Sequence, residues 1–169
     1  MQGSPGLLAH YSWLDDSKSN WQVLEELEQD YAAEPPFPQS EGWGLDEWSV
    51  TLTGYLYAPV SAEYHLTMTA DDQFNLWINK GGYSMTEGYA IDPNAAAPGS
   101  DWQAVIQEPC EAAVECAERT VTGTVTLAAG WYEVYAYYYD VSNQASWKIE
   151  WATTDISIVA GVIPKDNLR

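Results

Sequence analysis

Positive charge is nearly missing from this chain: six Lys and Arg stand against 25 Asp and Glu, a formal net charge of −19. Binding phosphate depends on Lys and Arg, so the composition excludes nucleic acid and anionic membrane surfaces as partners. Such a field attracts cations. Two physical explanations stand side by side: carboxylates that bind a divalent metal, and an acidic surface kept soluble in salty surroundings, where screening weakens self-repulsion. No run approaches the roughly 20 apolar residues of a membrane span. Nor does a basic stretch followed by an apolar one mark a signal peptide. The chain begins MQGSPG and stops at DNLR, and it is expected to be a domain cut from a longer protein.

Cysteine and histidine are scarce, two of each. Cys110 and Cys116, in EPCEAAVECAE, match no zinc spacing and have no His nearby. They are read as a local disulfide closing a small loop, with two free thiols in a reducing compartment as the alternative. Acidic surroundings raise a thiol pKa, which argues against catalysis by either. His10 and His65 lie in strand patterns without a Ser or Cys partner. No nucleophile–base constellation emerges, and the chain is not expected to be an enzyme.

Aromatics with a polar edge are abundant: nine Trp and twelve Tyr accompany only two Phe. Such side chains suit half-buried sheet surfaces and carbohydrate-binding surfaces alike. Hydrophobic residues make up 46%, too many for a disordered chain. The 169 residues fit one domain, 1–169, with a sizeable core.

Period-two alternation dominates. Strands are expected at LLAHYSW (7–13), WSVTLTGYLYA (from Trp48), AEYHLTMTA and QFNLWIN, then TVTGTVTL (120–127), WYEVYAYYY (to Tyr139), ASWKIEW (145–151) and ISIVAGVI (156–163). One stretch reads differently. Val23, Leu24, Leu27 and Tyr31 fall at helical spacing, with Ser19 and Gln22 placed as a capping box, so a short amphipathic helix is expected over 19–33. Residues 80–118 break the rhythm and are expected to be a long loop, the kind that is usually functional. The fold class is all-β, a β-sandwich.

Asp71 and Asp72 interrupt one alternation, in TADDQFNLWIN. Neighbouring strand residues point to opposite faces, so a regular strand would send one carboxylate into the core, where it is costly without a partner. The strand is therefore expected to stop at Ala70 and restart near Phe74, with the bend turning both carboxylates outward. Several hard oxygen ligands are what Ca²⁺ prefers. A second oxygen-rich turn, Asp140 to Gln144, follows the aromatic strand and could close around the same ion. A solvated turn, or carboxylates capping free N–H groups of the bend, is the alternative.

An ordered set of motifs now accumulates. Gly6-Leu7-Leu8-Ala9-His10-Tyr11 comes first, then Trp48 to Leu56, Tyr64 to Asp72 and Leu76-Trp77-Ile78. Ala128-Ala129-Gly130-Trp131-Tyr132, Lys148 to Trp151 and Ile163-Pro164 follow. Together they resemble the protective-antigen (PA-14) domain, a β-sandwich module of toxins, glycosidases and adhesins. In the lectin branch, as in flocculins and large bacterial adhesins, the resemblance implies a cis-linked aspartate pair, here Asp71 and Asp72, holding Ca²⁺. It implies a second loop matching Asn143, Gln144, Ala145, Ser146 and Trp147, whose amide and main-chain carbonyls complete the ion's shell; Asn143 and Gln144 align equally well. Metal ligands are thus expected among Asp71, Asp72, Asn143, Gln144 and Ser146, and sugar contacts among Asp71, Asp72, Gln73, Gln144 and Trp147. Tyr83, Tyr89, Asp101 and Trp102 are further sugar-contact candidates by location alone. Core packing is the competing role for Trp77 and Trp147.

The resemblance implies an extracellular, Ca²⁺-dependent lectin domain of an adhesin, monomeric in isolation and partnered by cell-surface glycans or polysaccharide. A structural or protein-interaction module of a large surface protein is the alternative. A glycosidase holds its carboxyls roughly 5–10 Å apart across the sugar, which sequence neighbours tied to one ion do not serve.

Overall fold

Alternating burial along the strands folds this chain into two antiparallel sheets whose apolar faces meet. The computed structural model describes residues 5–13, 18–31, 46–81, 101–107, 116–142 and 145–169. Their strands are β1 (Leu7–Trp13), β2 (Ser19–Leu24), β3 (Glu28–Asp30), β4 (Trp48–Ala58), β5 (Ala62–Asp71), β6 (Gln73–Asn79), β7 (Trp102–Gln107), β8 (Arg119–Leu127), β9 (Gly130–Asp140), β10 (Ser146–Thr153) and β11 (Gly161–Val162). One sheet runs β2-β1-β4-β9-β6-β7 and the other β11-β10-β5-β8, with β3 also pairing β10.

The core follows from strand parity. Val50, Leu52 and Leu56 of β4, Phe74, Leu76 and Ile78 of β6, and Tyr64, Leu66 and Met68 of β5 are all buried. Each such side chain contributes about 1.5–3 kcal/mol by leaving water. Their outward neighbours are Thr51, Thr53 and Tyr55 on β4, Asn75 and Trp77 on β6, and His65, Thr67 and Thr69 on β5, the alternation a two-layer sandwich requires.

Two connections cross from sheet to sheet at one end. The chain passes from β5 to β6 through the single residue Asp72, and from β9 to β10 through residues 141–145. Asp71 pairs with Ser146 in one sheet and Gln73 with Tyr139 in the other, so the crossings run side by side. This register positions the candidate site.

Three expectations are corrected. Within the helix expected over 19–33, the described residues 19–31 form instead a strand, a bend and a short strand. Six residues of β2 pair with β1, from Leu7↔Leu24 to Ser12↔Ser19. Gln22 is not half of a capping box; its Nε2 donates to the Tyr11 hydroxyl at 3.0 Å. Leu24, Leu27 and Tyr31 are buried by this path, while Val23 is 50% exposed. A short helix gains little by itself, and a ladder beside β1 with Trp21 and Val23, both good strand formers, wins. The strand over 156–163 shrinks to Gly161–Val162, because Asp155 Oδ1 accepts from the Ser157 N–H and hydroxyl and folds a local turn. The long loop over 80–118 contains β7, which pairs with β6 from Asn75↔Gln107 to Asn79↔Trp102.

Candidate functional site

Parity also decides where the carboxylates point. Tyr64, Leu66, Met68 and Ala70 face the core, so Asp71 falls on the outer side and is half-buried, while Asp72 returns inward and is 2% exposed. The strand does not stop at Ala70: β5 runs through Asp71 and β6 resumes at Gln73. The expectation that the bend turns both carboxylates outward is therefore corrected. So is the cis linkage, because the Asp71–Asp72 bond is trans, as is every other bond among the described residues. An extended trans backbone sends successive side chains to opposite sides.

Asp72 ties three segments together. Its Oδ1 accepts the Cys116 N–H at 2.7 Å and its Oδ2 accepts the Val141 N–H at 2.7 Å. The Tyr138 hydroxyl donates to the Asp71 main-chain carbonyl. The β5–β6 bend is thereby fixed to the start of the β9–β10 connection and to the segment entering β8. Charge-assisted bonds of this kind are roughly twice as strong as neutral ones.

Beside them lies a third carboxylate, which the sequence placed in the second oxygen-rich turn but not among the expected ligands. Asp140, the last residue of β9, pairs opposite Trp48 and is fully buried. Neither of its carboxylate oxygens has a hydrogen-bond partner among the described residues. Burial first, then the charges of Asp72, Asp46 and Asp71, push its carboxyl up to about 8. An aromatic floor removes water here: Trp48 lies 5.5 Å from Tyr138, 5.9 Å from Tyr11 and 5.1 Å from Tyr31, centroid to centroid. Burial raises Tyr138 as well, followed by Asp140, Asp72 and Asp71. The signal for Asp140 was in the alternation, since Val134, Ala136, Tyr138 and Asp140 share one parity.

The other expected residues are distributed unevenly. Ser146 opens β10 directly across from Asp71. Gln73 is half-buried across from Tyr139. Asn143 and Gln144 lie outside the described residues, as do Cys110, Tyr83 and Tyr89. Cys116 is disulfide-bonded. Trp147 is 1% exposed and packs 6.5 Å from Phe74, so its indole is core and is withdrawn as a sugar contact. Trp77 packs 5.4 Å from Tyr135. Asp101 accepts the Lys80 N–H through its carbonyl at 2.7 Å, and Trp102 opens β7 opposite Asn79.

Among the described residues, no three His, Cys, Asp or Glu side chains are gathered closely enough to hold a metal ion. The donor chemistry nevertheless fits a hard divalent cation such as Ca²⁺, which takes carboxylate and carbonyl oxygens. Asp71 and Asp72 would supply carboxylates, and Asp140 is a buried carboxyl with no hydrogen-bond partner among the described residues.

The family model for the PA14 domain matches residues 3–159. Among solved structures, an anti-sigma factor domain-containing protein from Clostridium clariflavum aligns with a TM-score of 0.71 at 20% identity, over 98% of this chain and 47% of that one. A PA14 sugar-binding domain from an RTX adhesin aligns with a TM-score of 0.63 at 15% identity over 98% of each chain. The Epithelial Adhesin 9 A domain from Candida glabrata, solved in complex with Galb1-3GlcNAc, gives 0.68 at 11% identity, over 98% of this chain and 88% of that one. This chain spans about half the length of the anti-sigma factor domain-containing proteins that it matches. No curated protein matches it. The structural likenesses establish the shared sandwich, and the family match covers most of the sequence: the chain belongs to the PA14 domain family.

Proposed function

We propose that this domain is a Ca²⁺-dependent carbohydrate-binding module of an extracellular adhesin, acting as a monomer toward cell-surface glycans or polysaccharide. One observation carries the reading: the Asp72 carboxylate holds the β5–β6 bend against the β9–β10 connection, bringing Asp71, Asp72 and buried Asp140 to one end of the sandwich. Asp71 and Asp72 would hold the cation, helped by Ser146 across from Asp71 and by an amide from Asn143 or Gln144. Bound there, Ca²⁺ would offer open coordination positions to vicinal sugar hydroxyls. Gln73 and Gln144 are the side chains proposed to orient the sugar. So few protein contacts give weak single-site binding, which a longer adhesin offsets by multivalency. Support comes from relatives whose titles name sugar binding, the RTX adhesin domain and the Candida glabrata adhesin domains. Among the described residues, no helix is long and apolar enough to cross a membrane.

Asp72 itself motivates a second reading. Both its oxygens already accept backbone N–H groups, which suits a structural or protein-interaction module whose carboxylate only ties loops. Calorimetric titration with Ca²⁺ separates the two. The lectin reading expects one saturable site, lost in Asp71→Asn; no heat with the wild type would leave the structural reading.

A further inference from the structure

Buried, unpartnered carboxylates are rare because desolvating the charged form is costly. Asp140 is such a group: fully buried, with neither oxygen partnered among the described residues. It is also close to Asp72. Val141 N lies 2.7 Å from Asp72 Oδ2, and the Asp140 Cα is one carbonyl carbon further along, which keeps it within about 5 Å of that oxygen. Trp48, opposite Asp140 in the ladder, is itself fully buried, so little water screens the pair. The charges that most perturb Asp140 are those of Asp72, Asp46 and Asp71. Among the described residues, no cationic side chain is one of its hydrogen-bond or perturbing partners. The fold thus keeps a carboxyl whose charged form no described side chain balances.

We propose that Asp140 is the buried counter-charge of the cation site, a third carboxylate that raises cation affinity at the Asp71–Asp72 bend and makes cation occupancy stabilise this end of the sandwich. The inference rests on the Ca²⁺ reading above but adds a residue to it. Asp140 is a positioning residue in this scheme: it acts on the cation through its charge from beneath the site.

The test is Asp140→Asn, which keeps the shape and removes the charge, with Asp140→Ser as a smaller second variant. Each is titrated with Ca²⁺ by calorimetry and melted in chelator and in excess Ca²⁺. The expected result is a Ca²⁺ affinity lower by on the order of 10–100-fold, the usual cost of losing an outer-shell partner. The melting temperature in chelator is expected not to fall, because the substitution breaks no hydrogen bond of the carboxylate among the described residues. Unchanged Ca²⁺ affinity overturns the proposal. Weaker affinity accompanied by a lower melting temperature in chelator also overturns it, since Asp140 would then be a packing residue, and so does failure of both variants to fold in chelator. A wild-type protein that binds no Ca²⁺ removes the Ca²⁺ reading itself, an outcome distinct from wild-type binding that Asp140→Asn leaves intact.

Discussion

Asp71 and Asp72 are adjacent in sequence and opposite in environment, and their substitutions should separate accordingly. Asp72 holds two backbone N–H groups at 2.7 Å each from inside the protein, so Asp72→Ala leaves two buried donors without their carboxylate. The expected cost is roughly 3 kcal/mol or more, read as a lower urea midpoint with or without Ca²⁺. Asp71 is half-buried on the outer side, and Asp71→Asn is expected to cost less than about 1 kcal/mol in chelator. It should nonetheless abolish the Ca²⁺-induced rise in melting temperature. A sugar-binding loss in Asp72→Ala is therefore ambiguous, whereas the same loss in Asp71→Asn reports on the cation site. The sequence exposed the pair as an anomaly and named both of its possible uses, metal binding and capping of backbone N–H groups. What it could not supply was the partner of each carboxylate, because Cys116 and Val141 are 44 and 69 residues away.

At the scale of elements, the long alternating strands were legible because one face of each is buried and the other is not. The segment 19–33 was misread for a physical reason: Leu24, Leu27 and Tyr31 are spaced to share a helix face, and a strand–turn–strand path buries the same three. Val23 separates the two pictures. A helix stripe would bury it, but in β2 it is 50% exposed, so Val23→Thr is expected to change stability by less than about 0.5 kcal/mol. Leu24→Ala should cost about 2–3 kcal/mol, and chemical denaturation of both variants checks the pair. β7 was hidden within a Gly- and Pro-rich stretch, and its packing depends on Gly123 of β8. A Cβ there would fall 1.8 Å from the Val105 carbonyl oxygen. Gly123→Ala is expected to push β7 off β8 at a cost of at least about 2 kcal/mol, with faster hydrogen exchange across Trp102–Gln107.

For the whole molecule, the acidic balance of −19 and the folded site point in one direction. The charge has few cations within the chain to meet it, and Asp71, Asp72 and Asp140 lie at the end where two sheet-to-sheet connections run together. Composition excluded nucleic acid and made a cation plausible, the ordered motifs named the architecture, and the register of β5, β6, β9 and β10 explains why distant acidic residues share one end of the sandwich. Asp140 completes that picture only in three dimensions, since its burial depends on Trp48 and the aromatic floor beneath it. The central claim is that this end of the sandwich binds sugar through Ca²⁺, and the most direct measurement is a glycan array probed with the wild-type domain in Ca²⁺ and in chelator, its fold monitored in both. The account predicts binding to glycans bearing vicinal hydroxyls in Ca²⁺, its loss in chelator with the fold retained, and its return when Ca²⁺ is restored. Binding undiminished by chelator, or no binding to any glycan in Ca²⁺, would contradict it.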